Sequence, residues 1–182
     1  PTGNCLRSHV DLTETFTALS LITKAGMSSN KVAVGVTSYG RSFNMAEPGC
    51  YDEMCKFTGT PVVSDATPGV CTNEPGCIAD AEIEELAEFN HTWSKTESLS
   101  DFLVYDETQW VAYMSLDSKI SRRQVYDAFN FAGTSDWAID LQSFDYDEFF
   151  DSGVTTPSRC AKGATTLWTR FTTIRLISLI TA

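Results

Sequence analysis

Val34-Gly35-Val36-Thr37-Ser38-Tyr39-Gly40-Arg41-Ser42-Phe43 changes character midway along its length. Its first part continues Lys31-Val32-Ala33 into a short β-branched run, the pattern of a parallel strand buried on both faces. Just upstream, Asp11 with Glu14 three residues on has the form of a helix capping box. Leu12, Phe16, Leu19 and Ile22 follow at helical spacing, and Gly26 is a natural stop. A second helix-then-strand unit lies further on. Residues 118–130 read as a helix with Ile120, Val125, Tyr126 and Phe129 on its inner side. Past Gly133, Ser135-Asp136-Trp137-Ala138-Ile139-Asp140-Leu141 reads as a second buried strand. Helix and strand alternating in this way indicate an α/β fold with a parallel sheet.

The segment between the two units is of another kind. Residues 44–78 are rich in turn formers and cysteine, and 80–89 form a short acidic helix with Ile83, Leu86 and Ala87 available for packing. Residues 102–105 and 109–114 suit an antiparallel pair joined by the turn-forming Asp106-Glu107. This is the composition of a small α+β domain set into the loop after the first strand. Such a domain stands as a wall beside that strand's C-terminal end, where α/β barrels carry their functional loops.

Charge excludes some functions. The 182 residues carry 13 Lys+Arg against 24 Asp+Glu, a net charge of −11. Phosphate backbones are held by clustered Lys and Arg, so nucleic acid is not the expected partner. An anionic membrane surface is disfavoured for the same reason. With 42% hydrophobic and 12% aromatic residues, the chain is too apolar for intrinsic disorder. The acids concentrate in the middle, where 44–113 holds fourteen acids and two bases, while 152–182 holds four bases and no acid. The acidic middle reads as a solvated surface. The acid-free end, with its apolar run at 176–182, reads as a disordered extension or an aberrant gene end. A lipid-anchor signal is the remaining alternative, but Arg170 and Arg175 interrupt a stretch too short to span a bilayer.

Cysteines stand at 5, 50, 55, 71, 77 and 160. None has the C-x-x-C spacing of a zinc or redox site, and two histidines add little for a metal. Four fall within 50–77, which suggests a loop-rich segment stapled by disulfides, with free buried thiols as the alternative. Disulfides imply an oxidising compartment, hence secretion. The sequon Asn90-His91-Thr92 agrees with that. Pro1 stands where an initiator Met would be, so further polypeptide, removed or missing, is expected upstream, and Cys5 is expected to have its partner there.

The segment 34–43 resembles the end of the seventh barrel strand in glycoside hydrolase family 18 chitinases, where Tyr-x-Arg opens an insertion domain. Further matches follow in order: Pro48-Gly49-Cys50, then Cys55 before Phe57-Thr58-Gly59, then Pro68-Gly69 before Cys71-Thr72. Gln109-Trp110-Val111-Ala112-Tyr113 resembles the strand that closes the insertion, and Gly133-Thr134-Ser135-Asp136-Trp137-Ala138-Ile139-Asp140 the eighth strand. The likeness covers residues 4–151 and is strongest to large secreted fungal members related to killer-toxin chitinase subunits. It implies a partial (β/α)8 TIM barrel with an α+β chitinase insertion domain. Residues 1–43 and 114–154 would be barrel segments, 44–113 the insertion, and 155–182 a disordered or aberrant tail.

By the same resemblance the ligand is chitin or an N-acetylglucosamine oligosaccharide, with no metal or other cofactor. Trp137 would form the apolar floor beneath the sugar at the cleavage site, since an indole face suits the apolar face of a pyranose. Tyr39 and Arg41 would line that subsite and its neighbour, the guanidinium supplying fixed donors. Read without the resemblance, Trp137 suits a core tryptophan equally well and Arg41 a salt-bridge partner. Trp110 and Tyr113 fit the insertion's core or the cleft.

The family's acidic signature, Asp-x-x-Asp-x-Asp-x-Glu, does not occur in this chain. Its last Glu is the general acid of a substrate-assisted mechanism, in which the acetamido oxygen attacks the anomeric carbon. Asp145-Tyr146-Asp147-Glu148 is the nearest acidic cluster and has the wrong spacing. The family's Met-x-Tyr-Asp is also absent, and Cys77 stands where an aromatic is expected. A barrel needs eight strands and about 250 residues. Two strands with open edges and bare faces are expected to need the missing upstream barrel half to fold. The sequence therefore reads as the C-terminal, substrate-binding portion of a secreted chitinase, inactive alone. The alternatives are a chitin-binding or toxin-subunit module and a non-functional gene fragment.

Overall fold

The computed structural model describes residues 3–60 and 62–142. Cys160, the cluster at 145–148 and the expectations for 143–182 lie outside the described residues. The elements are α1 (Leu12–Lys24), β1 (Ala33–Thr37), β2 (Tyr39–Asn44), β3 (Cys77–Ala79), α2 (Asp80–Ala87), β4 (His91–Lys95), β5 (Ser100–Tyr105), β6 (Gln109–Tyr113), α3 (Leu116–Ala128) and β7 (Gly133–Trp137).

Each helix of the two αβ units starts at a side-chain cap. Asp11 accepts from the Glu14 amide at 2.9 Å, satisfying an orphan donor at the start of α1. The reciprocal half of the expected box is not made, because the Glu14 carboxylate pairs with Arg7 instead. Ser115 caps α3 in the same way through the Ser118 amide. The helices lead into β1 and β7, which pair parallel in the register Ala33↔Gly133 through Thr37↔Trp137. Val34 and Val36 bury against Val10, Leu19, Met114 and Tyr126.

Three expectations fail here. β1 is buried on one face only: Ala33 and Gly35 are exposed, because α1 and α3 cover a single side. The inner face of α3 is Ser118, Arg122 and Tyr126, while Ile120 and Phe129 are 46% and 59% exposed. Arg122 is fully buried, and its guanidinium donates to the carbonyls of Val10, Ser98 and Leu99 and to the Tyr126 hydroxyl. The helix therefore packs on a polar backbone surface, which an apolar pattern does not report. The second strand is not buried either: Ser135 and Trp137 are exposed and its other residues only half-buried, and it ends early, at Trp137, with Ile139–Leu141 a short 3-10 turn.

The second sheet is antiparallel, in the order β3-β2-β6-β5-β4. Asp106 and Glu107 both adopt positive φ (45° and 61°), the twist that a tight β5–β6 hairpin requires. One face of the sheet carries Leu6, Met45, Phe57, Phe102 and Trp110; the other packs Leu103, Tyr105 and Val111 against Ile78 and Ile83. Trp110 is thus a core residue. Edge strand β4 was not expected from the sequence: His91-Thr92-Trp93-Ser94-Lys95 lacks a clear apolar alternation. The cysteine staple is partial. Cys50 and Cys55 are bonded, Cys71 is disulfide-bonded too, and Cys5 and Cys77 are free thiols. Both sheets belong to one contact unit, residues 1–144.

Candidate functional site

The two sheets meet at one residue. Ser38 separates β1 from β2, is fully buried, and commits every polar group it has. Its amide donates to the Trp137 carbonyl at 2.9 Å, and its carbonyl accepts from the Asp80 amide at 3.1 Å. Its hydroxyl donates to Asp136 Oδ1 at 2.5 Å and accepts from Lys119 Nζ at 2.9 Å. The residue flanking Ser38 on one side, Thr37, lies opposite Trp137 in the parallel ladder; the one on the other side is Tyr39.

Trp137 is 73% exposed at the C-terminal end of β7, so it is not a core tryptophan among the described residues. The peptide that follows it is cis. Successive strand side chains alternate between faces. Trp137 therefore shares the uncovered face with Ser135, and Asp136 points to the helix side. Tyr39 is half-buried and touches both His9, whose ring stacks on it at 5.4 Å, and Arg41, whose guanidinium carbon lies 5.4 Å from the ring centroid. Tyr39 and Arg41 are two apart on β2, hence on one side of the strand. Arg41 makes no ion pair among the described residues, and the Tyr39 ring serves as its neighbour in a cation–π contact. Gly40 between them is closely packed: a Cβ there would run into the Val111 and Ile83 methyls.

Behind this surface is a charge cluster that the sequence reading missed. Lys119 on α3 reaches Asp80 Oδ2 at 2.9 Å and Asp136 Oδ2 at 3.5 Å, and Gln142 Nε2 donates to the same Asp136 oxygen at 2.7 Å. Burial pushes the Asp80 carboxyl up to about 6; the Lys119 charge and hydrogen bond act against that rise. Asp80 Oδ1 is buried without a hydrogen-bond partner among the described residues. Asp80 opens an acidic helix that reads as solvated surface, and nothing in its spacing from Lys119 signals the pairing. His9, exposed at the surface, is held down to about 4, first by the hydration its ring loses where it stacks on Tyr39, then by the Arg41 and Arg122 charges.

A cleft of about 420 Å³ lies between α2 and α3, lined by Val36, Asp80, Tyr113, Lys119, Ile120 and Asp136 among others. Its strand residues are the helix-side ones, so it is not the surface that carries Trp137. Tyr113 lines this cleft rather than the exposed strand face. Among the described residues no cluster of three His, Cys, Asp or Glu could hold a metal ion, and no helix is long and apolar enough to cross a membrane.

No family model matches the chain. It is 48% identical over 176 residues to the probable chitinase LysM18 of Penicillium expansum, covering 94% of this chain and 11% of that protein. It is 49% identical over 147 residues to the secreted chitinase LysM12 of the same organism, covering 78% and 10%. The killer toxin subunits alpha/beta of Kluyveromyces lactis are 32% identical over 149 residues, covering 80% and 12%. The chain thus spans about a tenth of the length of each of these three relatives. Among solved structures, a family 18 chitinase from Cycas revoluta in complex with (GlcNAc)3 aligns with a TM-score of 0.60 at 17% identity, covering 77% of this chain and 38% of that one. Human YKL-39, described as a pseudo-chitinase with retained chitooligosaccharide binding, aligns at 0.62 and 24%, covering 68% and 32%. These two likenesses are of fold.

Proposed function

Because the chain is a glycoside hydrolase family 18 chitinase-like chain, we propose that it supplies the substrate-binding wall of a secreted chitinase. Its ligand is chitin or an N-acetylglucosamine oligosaccharide. The observation that carries this reading is the exposed Trp137 ring at the end of a strand whose neighbour runs directly into Tyr39. An exposed indole at a strand end offers a platform for the apolar face of a pyranose. Arg41, beside Tyr39 and free of ion pairs among the described residues, has donors available for sugar hydroxyls.

In this proposal β1 and β7 are the last two strands of a (β/α)8 barrel, 44–113 is the insertion that forms the cleft wall, and 1–43 and 114–154 are barrel segments. Hydrolysis of β-1,4 linkages by the substrate-assisted route belongs to a polypeptide that also carries the acidic signature, since 1–182 does not. Extracellular placement is supported by the Cys50–Cys55 disulfide and by the secreted relative. That same missing signature favours one second reading, a chitin-binding module without catalysis, as described for YKL-39.

Calorimetric titration with an N-acetylglucosamine tetrasaccharide, on this chain produced in a fungal host together with a catalytically inactivated upstream barrel half, tests the proposal. Binding that is lost in Trp137→Ala at unchanged melting temperature supports it. Binding unaffected by Trp137→Ala overturns the assigned surface. Release of shorter oligosaccharides by the isolated chain overturns the assignment of catalysis elsewhere.

A further inference from the structure

From the geometry around the sequon we infer that Asn90 is an N-glycosylation site, and that its glycan shields the adjacent Phe89 ring and the free edge of the antiparallel sheet. This rests on the extracellular reading above, because the modification needs passage through the secretory lumen. Asn90-His91-Thr92 is the sole Asn-x-Ser/Thr triplet in the chain, and neither His91 nor the following Trp93 is proline. A sequon is common by chance; its placement here is what argues for use.

Asn90, His91 and Thr92 are all exposed, at the point where α2 ends and β4 begins. The Asn90 Nδ2 spends one hydrogen on the Leu86 carbonyl at 2.8 Å, which fixes the side chain across the helix end. Its second hydrogen has no acceptor among the described residues. An amide nitrogen linked to a sugar keeps one N–H, so that helix-end bond survives modification. In the transfer itself, Nδ2 bonds to the anomeric carbon of a lipid-pyrophosphate-linked oligosaccharide. The C–O bond to the pyrophosphate breaks, the lipid pyrophosphate leaves, and the Nδ2 proton passes to a base of the transferase.

Two exposed features beside Asn90 gain a purpose. Phe89 is 86% exposed, an apolar ring with nothing over it among the described residues. It is the immediate neighbour of the modified residue, within reach of the first pyranose, whose apolar face suits an aromatic ring. Strand β4 is the outer strand of the five-stranded sheet, and an unprotected edge invites pairing with another chain. His91–Lys95 has one charge and no proline to blunt it. A hydrated glycan rooted at its first residue is a bulkier obstacle than either.

The test is expression in a fungal host behind a secretion leader, with glycopeptide mass spectrometry of chain recovered from medium and secretory lumen. We expect a hexosamine-containing adduct on Asn90 that peptide N-glycosidase removes with deamidation at Asn90. It should vanish in Asn90→Gln and Thr92→Ala and persist in Thr92→Ser. Unmodified Asn90 in chain whose Cys50–Cys55 disulfide has formed overturns the site. Phe89→Ala should lower the melting temperature more in glycosylated than in deglycosylated chain, and equal effects overturn the shielding. Neither readout depends on sugar binding at Trp137, so a failed oligosaccharide titration leaves this result standing.

Discussion

Thr37 and Trp137 face each other across the parallel ladder, and the Ser38 amide next to Thr37 closes on the Trp137 carbonyl at 2.9 Å. The Trp137 backbone is thereby tied to Ser38, the residue just before Tyr39 opens β2. Position, rather than burial, sets what Trp137 can do.

Trp137→Ala should weaken tetrasaccharide binding roughly thirtyfold, about 2 kcal/mol for a central aromatic contact. Because the ring is exposed, thermal stability should be unchanged. Trp137→Phe should retain part of the affinity. Paired titration and melting curves check all three statements.

Lys119→Met should destabilise the chain by about 3 kcal/mol, since it leaves Asp80 and Asp136 without their buried counter-charge. It should also push the Asp80 carboxyl above its present value of about 6. In an Asp80→Asn background the penalty should shrink, and a denaturant-unfolding double-mutant cycle measures that coupling.

The pH dependence contains two opposed contributions. His9 titrates near 4 when folded against 6.5 ordinarily, so the unfolded chain takes up the proton first, and stability falls as pH drops from 6.5 toward 4. Asp80 is raised from 3.8 to about 6, so the folded chain binds its proton first, and acidification from 6 to 3.8 adds stability. Asp80→Asn should therefore steepen the acid loss, and His9→Gln should flatten it. Unfolding free energies at intervals from pH 7 to 4 give the slopes.

Gly40→Ala should cost about 1–3 kcal/mol by overpacking against Val111 and Ile83. Oligosaccharide affinity should fall as well, because the added methyl displaces the strand that carries Tyr39 and Arg41. A melting curve and a titration on one preparation separate the two effects.

Much of this was legible in the residues, and the gaps have a common cause. Asp11 capping α1, the Asp106-Glu107 turn and the two parallel strands each follow from local chemistry, and each formed. The inner face of α3 did not follow. Arg122 is held by carbonyls of residues 10, 98 and 99, and a carbonyl leaves no mark in sequence. β4 was missed because its ladder comes from β5, whose Phe102 and Leu103 supply the apolar packing that His91–Lys95 lacks. At the candidate site, Trp137, Tyr39 and Arg41 were named from motif, whereas Ser38, Lys119 and Asp80 act through contacts spanning 39 and 81 residues.

A junction made of one fully bonded residue has no slack. The Ser38 amide and the Asp80 amide that donates to Ser38 should be among the slowest in the molecule to exchange with deuterated solvent, because Ser38 is fully buried and each bond anchors one side of the junction. Parallel and antiparallel sheets would then loosen in a single event, and a ligand resting on Trp137 and Tyr39 would slow exchange at both amides without touching either.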